Sequence, residues 1–248
     1  MFESSVLRPQ MIKVALALFA LSSYKLLPFA YMIRFYYQVF RHIFTKRSGY
    51  VKTKENTYGI GNQPLDLFRQ VAYRSYTSPL EIDMYLHKSN STYFTDLDIA
   101  RTKLVCVIFQ KLFMKYWNNE SGEFKKRSIN NCPYIPVGTV QCTFKREFKV
   151  FQKYSVVSSV FAWDHKWLYV VLKFVLSKGV LSAVAVTKYV FKRNGRITMK
   201  PAEFIAECGL LNNEVEKINA ENYKLISYLE TSEGLEAWAS TLDSKVMH

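Results

Sequence analysis

The 248-residue chain has four cysteines and no arrangement of them that carries chemistry. Cys106, Cys132, Cys142 and Cys208 are dispersed, with no Cys-x-x-Cys pair and no histidine at ligand spacing. That excludes the usual zinc sites and a disulfide framework, and reduced, mostly core thiols are expected. No metal site is expected anywhere in the chain. There is no internal repeat and no low-complexity tract, and no Ser or Cys stands in a recognisable nucleophile motif. Acid is scarce as well: 20 Asp and Glu face 34 Lys and Arg, a formal charge of +14. This balance suits polyanions, anionic membrane surfaces or phosphorylated substrates, and charge alone does not choose among them.

What the chain does have, first, is a long apolar run. Residues 14–33 reach about the 20 residues a spanning helix needs, interrupted only by Lys25 and a kink-prone Pro28. The run continues through Phe35, Tyr36, Tyr37, Val39 and Phe40 without a small-x-small cleavage site before it, which argues for a retained anchor over a removed signal peptide. Arg34, Arg41, Lys46, Arg47, Lys52 and Lys54 follow the run, and only Arg8 and Lys13 precede it. The positive-inside rule then places the folded part on the cytosolic side, with membrane lipid as a partner. An amphipathic helix lying in the interface, with Arg34 and Arg41 on its wet face, is the alternative to a span. The expected setting is the endoplasmic reticulum membrane, with the mitochondrial membrane as the alternative. The sequons at Asn90 and Asn119 are read as chance matches.

The expected organisation is an anchor over residues 1–47, a linker over 48–66, one folded domain over 67–200 and a helical extension over 201–248. Within the domain, residues 71–76 read as a short strand and 91–115 as one long helix with apolar residues at Phe94, Leu97, Val105, Ile108 and Leu112. Residues 139–150, 155–163, 168–176 and 181–193 are rich in Val, Phe, Tyr and Thr and read as a meander of antiparallel strands. Strand, helix, then meander is an α+β pattern in which one sheet wraps one helix. Residues 201–208 read as a helix stopped at Gly209, and 214–238 carry a further helical pattern.

The most informative stretch runs from Asp83 to Phe94, DMYLHKSNSTYF. It places an acid on a turn leading into a helix that Asn90, Ser91 or Thr92 can cap, so that unsatisfied backbone N–H groups and a positive dipole end face whatever Asp83 faces. The stretch resembles the hotdog-fold thioesterases of the 4-hydroxybenzoyl-coenzyme A thioesterase type. Their motif runs Asp, two residues, Gly, His, Val, Asn, Asn, two residues, Tyr, then an acidic helix ending Ala-Arg. Asp83, His87, Asn90, Tyr93, Asp98, Ala100 and Arg101 meet it, with Leu86 in place of the Gly and Ser89 in place of the first Asn. Together with a later VFAWDHKWLYVVLKFV and a terminal ISYLE, the chain is similar to the branch called thioesterase superfamily member six, including its N-terminal apolar anchor.

The resemblance implies a hotdog fold with an N-terminal membrane-anchoring helix, assembled as a homodimer with acyl-coenzyme A sites between the protomers. Coenzyme A enters as part of the substrate, and no cofactor is implied. Asp83 matches the family's catalytic carboxylate, as general base for water or as nucleophile. Backbone N–H groups near Ser91, Thr92 and Tyr93 are expected to hold the oxyanion. His87 is read as orienting the loop or touching substrate, and Asn90 as capping the helix and shaping the site. Asp96 and Asp98, in the first helical turns, are the reserve carboxylates. The aromatic strands with Lys145, Arg146 and Lys149 could stack bases, but no nucleic-acid motif accompanies them, and a filled core with basic residues outside is the simpler reading. The alternative to hydrolysis is a non-catalytic hotdog protein that binds acyl chains or acyl-coenzyme A, or a membrane scaffold.

Overall fold

The computed structural model describes residues 9–176, 179–193 and 197–226. Its centre is a five-stranded antiparallel sheet built from β1 (Val71–Tyr76), β2 (Val137–Phe144), β3 (Lys153–Trp163), β4 (Leu168–Leu176) and β5 (Leu181–Tyr189), in the order β1-β3-β4-β5-β2. A long helix, α4 (Asn90–Ile108), lies in the concave face of the sheet. Leu97, Ala100 and Leu104 of that helix are fully buried, and Tyr93 packs among Phe144, Phe148 and Phe174. The hotdog arrangement expected above is therefore present. Alternating burial along β3 explains its register, because a period of two turns every second side chain onto α4.

Residues 71–76 and 168–176 form strands over the expected bounds. β2 begins at Val137 and ends at Phe144, before the expected residue 150, because the chain turns there and Lys145 and Arg146 both bond the carbonyl of Ser182. The apolar run at 181–193 divides at Val190, whose N–H turns to the carbonyl of Pro136, and a short β6 (Phe191–Arg193) pairs with β7 (Ile197–Met199). The single helix expected over 91–115 breaks at Phe109 and resumes as α5 (Gln110–Trp117). The break has tertiary causes. The side chain of Asn56 donates to the carbonyl of Val107 at 2.6 Å, and Gly61 lies so close that a Cβ there would sit 2.3 Å from the carbonyl oxygen of Ile108.

The apolar N-terminal run is not one helix. α1 (Pro9–Ser22) stops at a serine pair, a 3-10 turn spans Tyr24–Leu26, and α2 (Ala30–His42) starts after Pro28 and Phe29, the latter at φ 65°. No described helix is long and apolar enough to cross a membrane. The described part of α1, 14 residues, is about 21 Å long, beside a hydrocarbon core of about 30 Å. A spanning helix is therefore not shown among the described residues, and the apolar run is interrupted where Lys25 is buried in the domain, with its ammonium 3.0 Å from Glu81 and 3.3 Å from Asp96.

α2 docks with its polar side inward. Arg34, Gln38 and His42, four residues apart, are buried, whereas Ile33, Tyr36, Tyr37 and Phe40 face outward. An interfacial helix is expected to carry Arg34 on its wet face, and the structure instead turns Arg34 inward to Asp96 at 2.6 Å. The stretch expected to act as a linker, residues 48–66, carries most of α3 (Arg47–Thr53) and then covers the break between α4 and α5. Beyond the sheet, α6 (Pro201–Glu207) ends at Gly209 with φ 74°, and α7 (Asn213–Tyr223), capped by Asn212, lies on β3. Of the helical pattern expected over 214–238, residues 214–223 belong to α7, whereas residues 227–238 and all of the ISYLE segment after Ile226 lie outside the described residues.

Candidate active site

The turn that carries Asp83 is built by its neighbours. A capping box between Ser78 and Glu81 starts a 3-10 turn at Pro79–Glu81, and the chain then folds back so that Asp83 N–H donates to the carbonyl of His87 at 2.9 Å. Leu86 closes the turn at φ 62° and donates its N–H to the carbonyl of Asp83 at 3.0 Å. The left-handed conformation is what a glycine adopts freely, and Leu86 stands where the motif has one. The N–H of Tyr85 donates to Oδ1 of Asp83 at 2.9 Å, which fixes the carboxylate. Nδ1 of His87 lies 3.5 Å from that same oxygen, and Nε2 lies 3.6 Å from Oε2 of Glu147. The imidazole is thus flanked by two carboxylates.

Ser89, not Asn90, occupies the N-cap position of α4, and no side chain caps it. Thr92 N–H is taken by the carbonyl of Ser89, and its hydroxyl bonds the same oxygen at 2.7 Å. The N–H groups left to a ligand by helix geometry are therefore those of Asn90 and Ser91, earlier than the expected Ser91 to Tyr93. Tyr93 is core: its ring is buried, and burial pushes its phenol above the ordinary range. A pocket of about 160 Å³ opens at this helix start, lined by His87, Asn90, Tyr93, Phe144, Lys145, Arg146 and Glu147 among others. Asp83 stands behind His87 and does not line it. Lys145 and Arg146 are among the basic residues the sequence offers for the coenzyme A phosphates, whereas Glu147 carries no sequence signal that ties it to the acidic turn, because this segment lies more than fifty residues later.

The two reserve carboxylates lie elsewhere. Asp96 is completely buried, 3.3 Å from Lys25, 3.1 Å from Lys88 and 2.6 Å from Arg34, and it accepts from the hydroxyl of Tyr154. Burial alone would raise its pKa, but the three cations together hold it well below the usual carboxylate range. Glu81 completes the hub at 2.7 Å from Lys88. Asp96 is thus a packed structural anion. Asp98 is half-buried, accepts from the Tyr31 hydroxyl and pairs with Arg101 at 3.0 Å. It lines a separate apolar cavity.

Among the described residues no group of three or more His, Cys, Asp and Glu could hold a metal ion. All four cysteines are free thiols. Burial pushes Cys106 and Cys132 up to about 12 and Cys142 up to about 11, so none presents a thiolate nucleophile near neutral pH. The chemistry that remains is that of a fixed carboxylate, an imidazole within reach of it, and two helix-start N–H groups beside a small basic pocket.

Residues 77–208 match the family described as thioesterase-like superfamily. Over 212 residues the chain is 43% identical to the probable thioesterase YBR096W of Saccharomyces cerevisiae, covering 85% of this chain and 86% of that one. It is 41% identical over 154 residues to the thioesterase lcsJ of Purpureocillium lilacinum, covering 58% of this chain and 49% of that protein. Among solved structures, the probable thioesterase YbaW of Escherichia coli is similar at a TM-score of 0.45 and 14% identity, covering 55% of this chain and 94% of that one.

Proposed function

The chain belongs to the thioesterase-like superfamily, and on that premise we propose that it hydrolyses acyl-coenzyme A thioesters with Asp83 as the base that activates water. One observation carries the reading: the Asp83 carboxylate is locked on a turn 3.5 Å from His87, immediately before a helix start that no side chain caps. Water placed against Asp83 gives up its proton as it attacks the thioester carbonyl. The oxyanion takes hydrogen bonds from the N–H groups of Asn90 and Ser91, helped by the helix dipole. Collapse breaks the C–S bond, and the proton on Asp83 passes to the departing sulfur, giving a carboxylic acid and coenzyme A. Lys145 and Arg146 line the same pocket and offer charge to the phosphates of coenzyme A.

A second assignment is favoured by one fact: His87 lines the pocket and Asp83 does not. In it His87 takes the proton and Asp83 orients the ring. Steady-state hydrolysis by the full chain, across short, long and aromatic acyl-coenzyme A, separates the two. With Asp83 as base, Asp83→Asn loses about a hundredfold or more in kcat while His87→Gln keeps most of it. The reverse order assigns the base to His87. No turnover on any thioester by the folded wild type would leave a non-catalytic acyl-binding protein.

Two further parts of the reading concern assembly and place. We propose that it works as a homodimer, since β2 is an exposed edge strand and Met84, Tyr85 and Leu86 project beside the site with their side chains in solvent. We also propose that α1 and the outer side of α2 rest in the interface of a membrane, on the cytosolic face of the endoplasmic reticulum. α1 has no buried residue and exposes Leu16, Leu18 and Leu21, and α2 continues that surface with Ile33, Tyr36 and Phe40.

A further inference from the structure

One cavity among the described residues has no part in the chemistry above. It encloses about 390 Å³ between α2 and the middle of α4, within the roughly 300–1,000 Å³ of small-molecule sites. Phe35, Val39 and Ile43 form its roof, Thr102 and Cys106 one wall, and Ile135 the other. The roof lies outside residues 77–208, so it is an addition of this chain's N-terminal arm to the matched domain. Asp98, half-exposed and held by Tyr31 and Arg101, supplies the one carboxylate of the lining. A ligand that fills this space must be mainly hydrocarbon.

The cavity is linked to the candidate active site by one ridge of α4. Asn90, Phe94, Asp98, Thr102 and Cys106 follow one another every four residues, the row that forms a continuous ridge on a helix. Asn90 lines the small basic pocket; Asp98, Thr102 and Cys106 line the apolar cavity; Phe94 lies between them with its ring partly in solvent. From Asn90 to Asp98 is eight residues, about 12 Å of helix. An extended chain of tetrahedral carbons advances about 1.2 Å per bond, by analogy with the peptide backbone, so about ten carbons are needed to cover that distance. An aromatic acyl group anchored at the helix start is too short to reach.

We propose that this cavity receives the far end of a long, unbranched acyl chain whose carbonyl lies at the start of α4. The inference rests on the thioesterase reading above and narrows its substrates to long-chain aliphatic thioesters. Each methylene kept out of the cavity weakens binding by about fourfold, so discrimination should accumulate with length once the chain passes Phe94. Val39→Trp fills the cavity from its roof, and Ile135→Trp fills it from the opposite wall; both residues are only partly buried, and thermal melts identify a variant that fails to fold.

The test measures kcat/KM of the full chain for butyryl-, octanoyl-, lauroyl- and palmitoyl-coenzyme A, and binding of the linear fluorescent fatty acid cis-parinaric acid. Loss of about tenfold or more on palmitoyl-coenzyme A with butyryl turnover unchanged, together with loss of parinaric acid binding in either folded variant, is the expected result. Turnover in which both folded variants keep the wild-type chain-length profile overturns the cavity assignment and leaves the thioesterase reading standing. If no thioester is hydrolysed but parinaric acid binds and is expelled by Val39→Trp, the thioesterase reading fails and the cavity remains a hydrocarbon site. Absence of parinaric acid binding by the wild type, with no preference for long chains, overturns it outright.

Discussion

At the scale of single residues, the candidate site takes its chemistry from one short segment, and the buried charges behind it come from distant ones. Asp83, His87 and Asn90 lie within eight positions, and their spacing alone brings them to one turn and one helix start. The fate of Asp96 was not legible, because its partners Lys25 and Arg34 are more than sixty residues away and stand in what reads as an apolar run. His42 shows the same concealment. It is buried at the end of α2 with Nδ1 2.6 Å from the Tyr58 hydroxyl, and burial, then Lys103, Arg41 and Lys46, lower its pKa to about 4. The unfolded chain takes up this proton near an ordinary value of about 6.5, whereas the folded chain resists until about 4. Stability should therefore fall as pH drops through that window. Asp96, with its depressed pKa, adds a further loss as pH falls below the ordinary carboxylate range. Thermal melts from neutral to acid pH check this: in His42→Gln the decline should begin at lower pH than in the wild type.

At the scale of elements, the strands at 71–76 and 168–176 could be read closely because their ends are set by flanking polar and turn residues. The interruption of the long helix could not. Its apolar periodicity runs on through Phe109, and the break comes from Asn56 and Gly61 pressing on the carbonyls of Val107 and Ile108 from another segment. α2 misleads in a different way: its buried stripe is polar and its exposed stripe apolar, the reverse of an ordinary surface helix. If that outer stripe meets lipid, Ile33→Ser combined with Phe40→Ser should reduce co-flotation with phosphatidylcholine–phosphatidylserine vesicles by about tenfold while leaving the melting temperature within about two degrees. Unchanged flotation of the double variant would remove the membrane role from this face.

At the scale of the whole molecule, the boundary drawn from composition between an anchor and a domain passes through an interlocked structure. Lys25 and Arg34 belong to the N-terminal arm, Glu81 and Lys88 flank the candidate active-site turn, and Asp96 lies in the second turn of the central helix; all meet in one buried hub. Removing one side of a buried ion pair costs about 3–5 kcal/mol, a large part of a domain's total stability. A chain truncated to begin at residue 48 should therefore melt at least ten degrees lower than the full chain, or be recovered insoluble, even though the whole matched domain is kept. In the same preparations, light scattering on the full chain should give twice the chain mass. A cooperative melt of the truncated form at the full chain's temperature would show that the arm is not part of the folding unit.

The hub also bears on how such a sequence can drift over generations. A change of Asp96 to a neutral residue leaves three buried cations facing the single carboxylate of Glu81, and a change of Lys25 or Arg34 takes a cation from buried Asp96, so each step taken alone is a loss. Lineages that leave this arrangement must alter the arm and the central helix nearly together. Across an alignment of relatives, positions 25, 34, 81, 88 and 96 should accordingly vary as a set, and a sequence with an apolar residue at 96 should carry uncharged residues at 25 and 34.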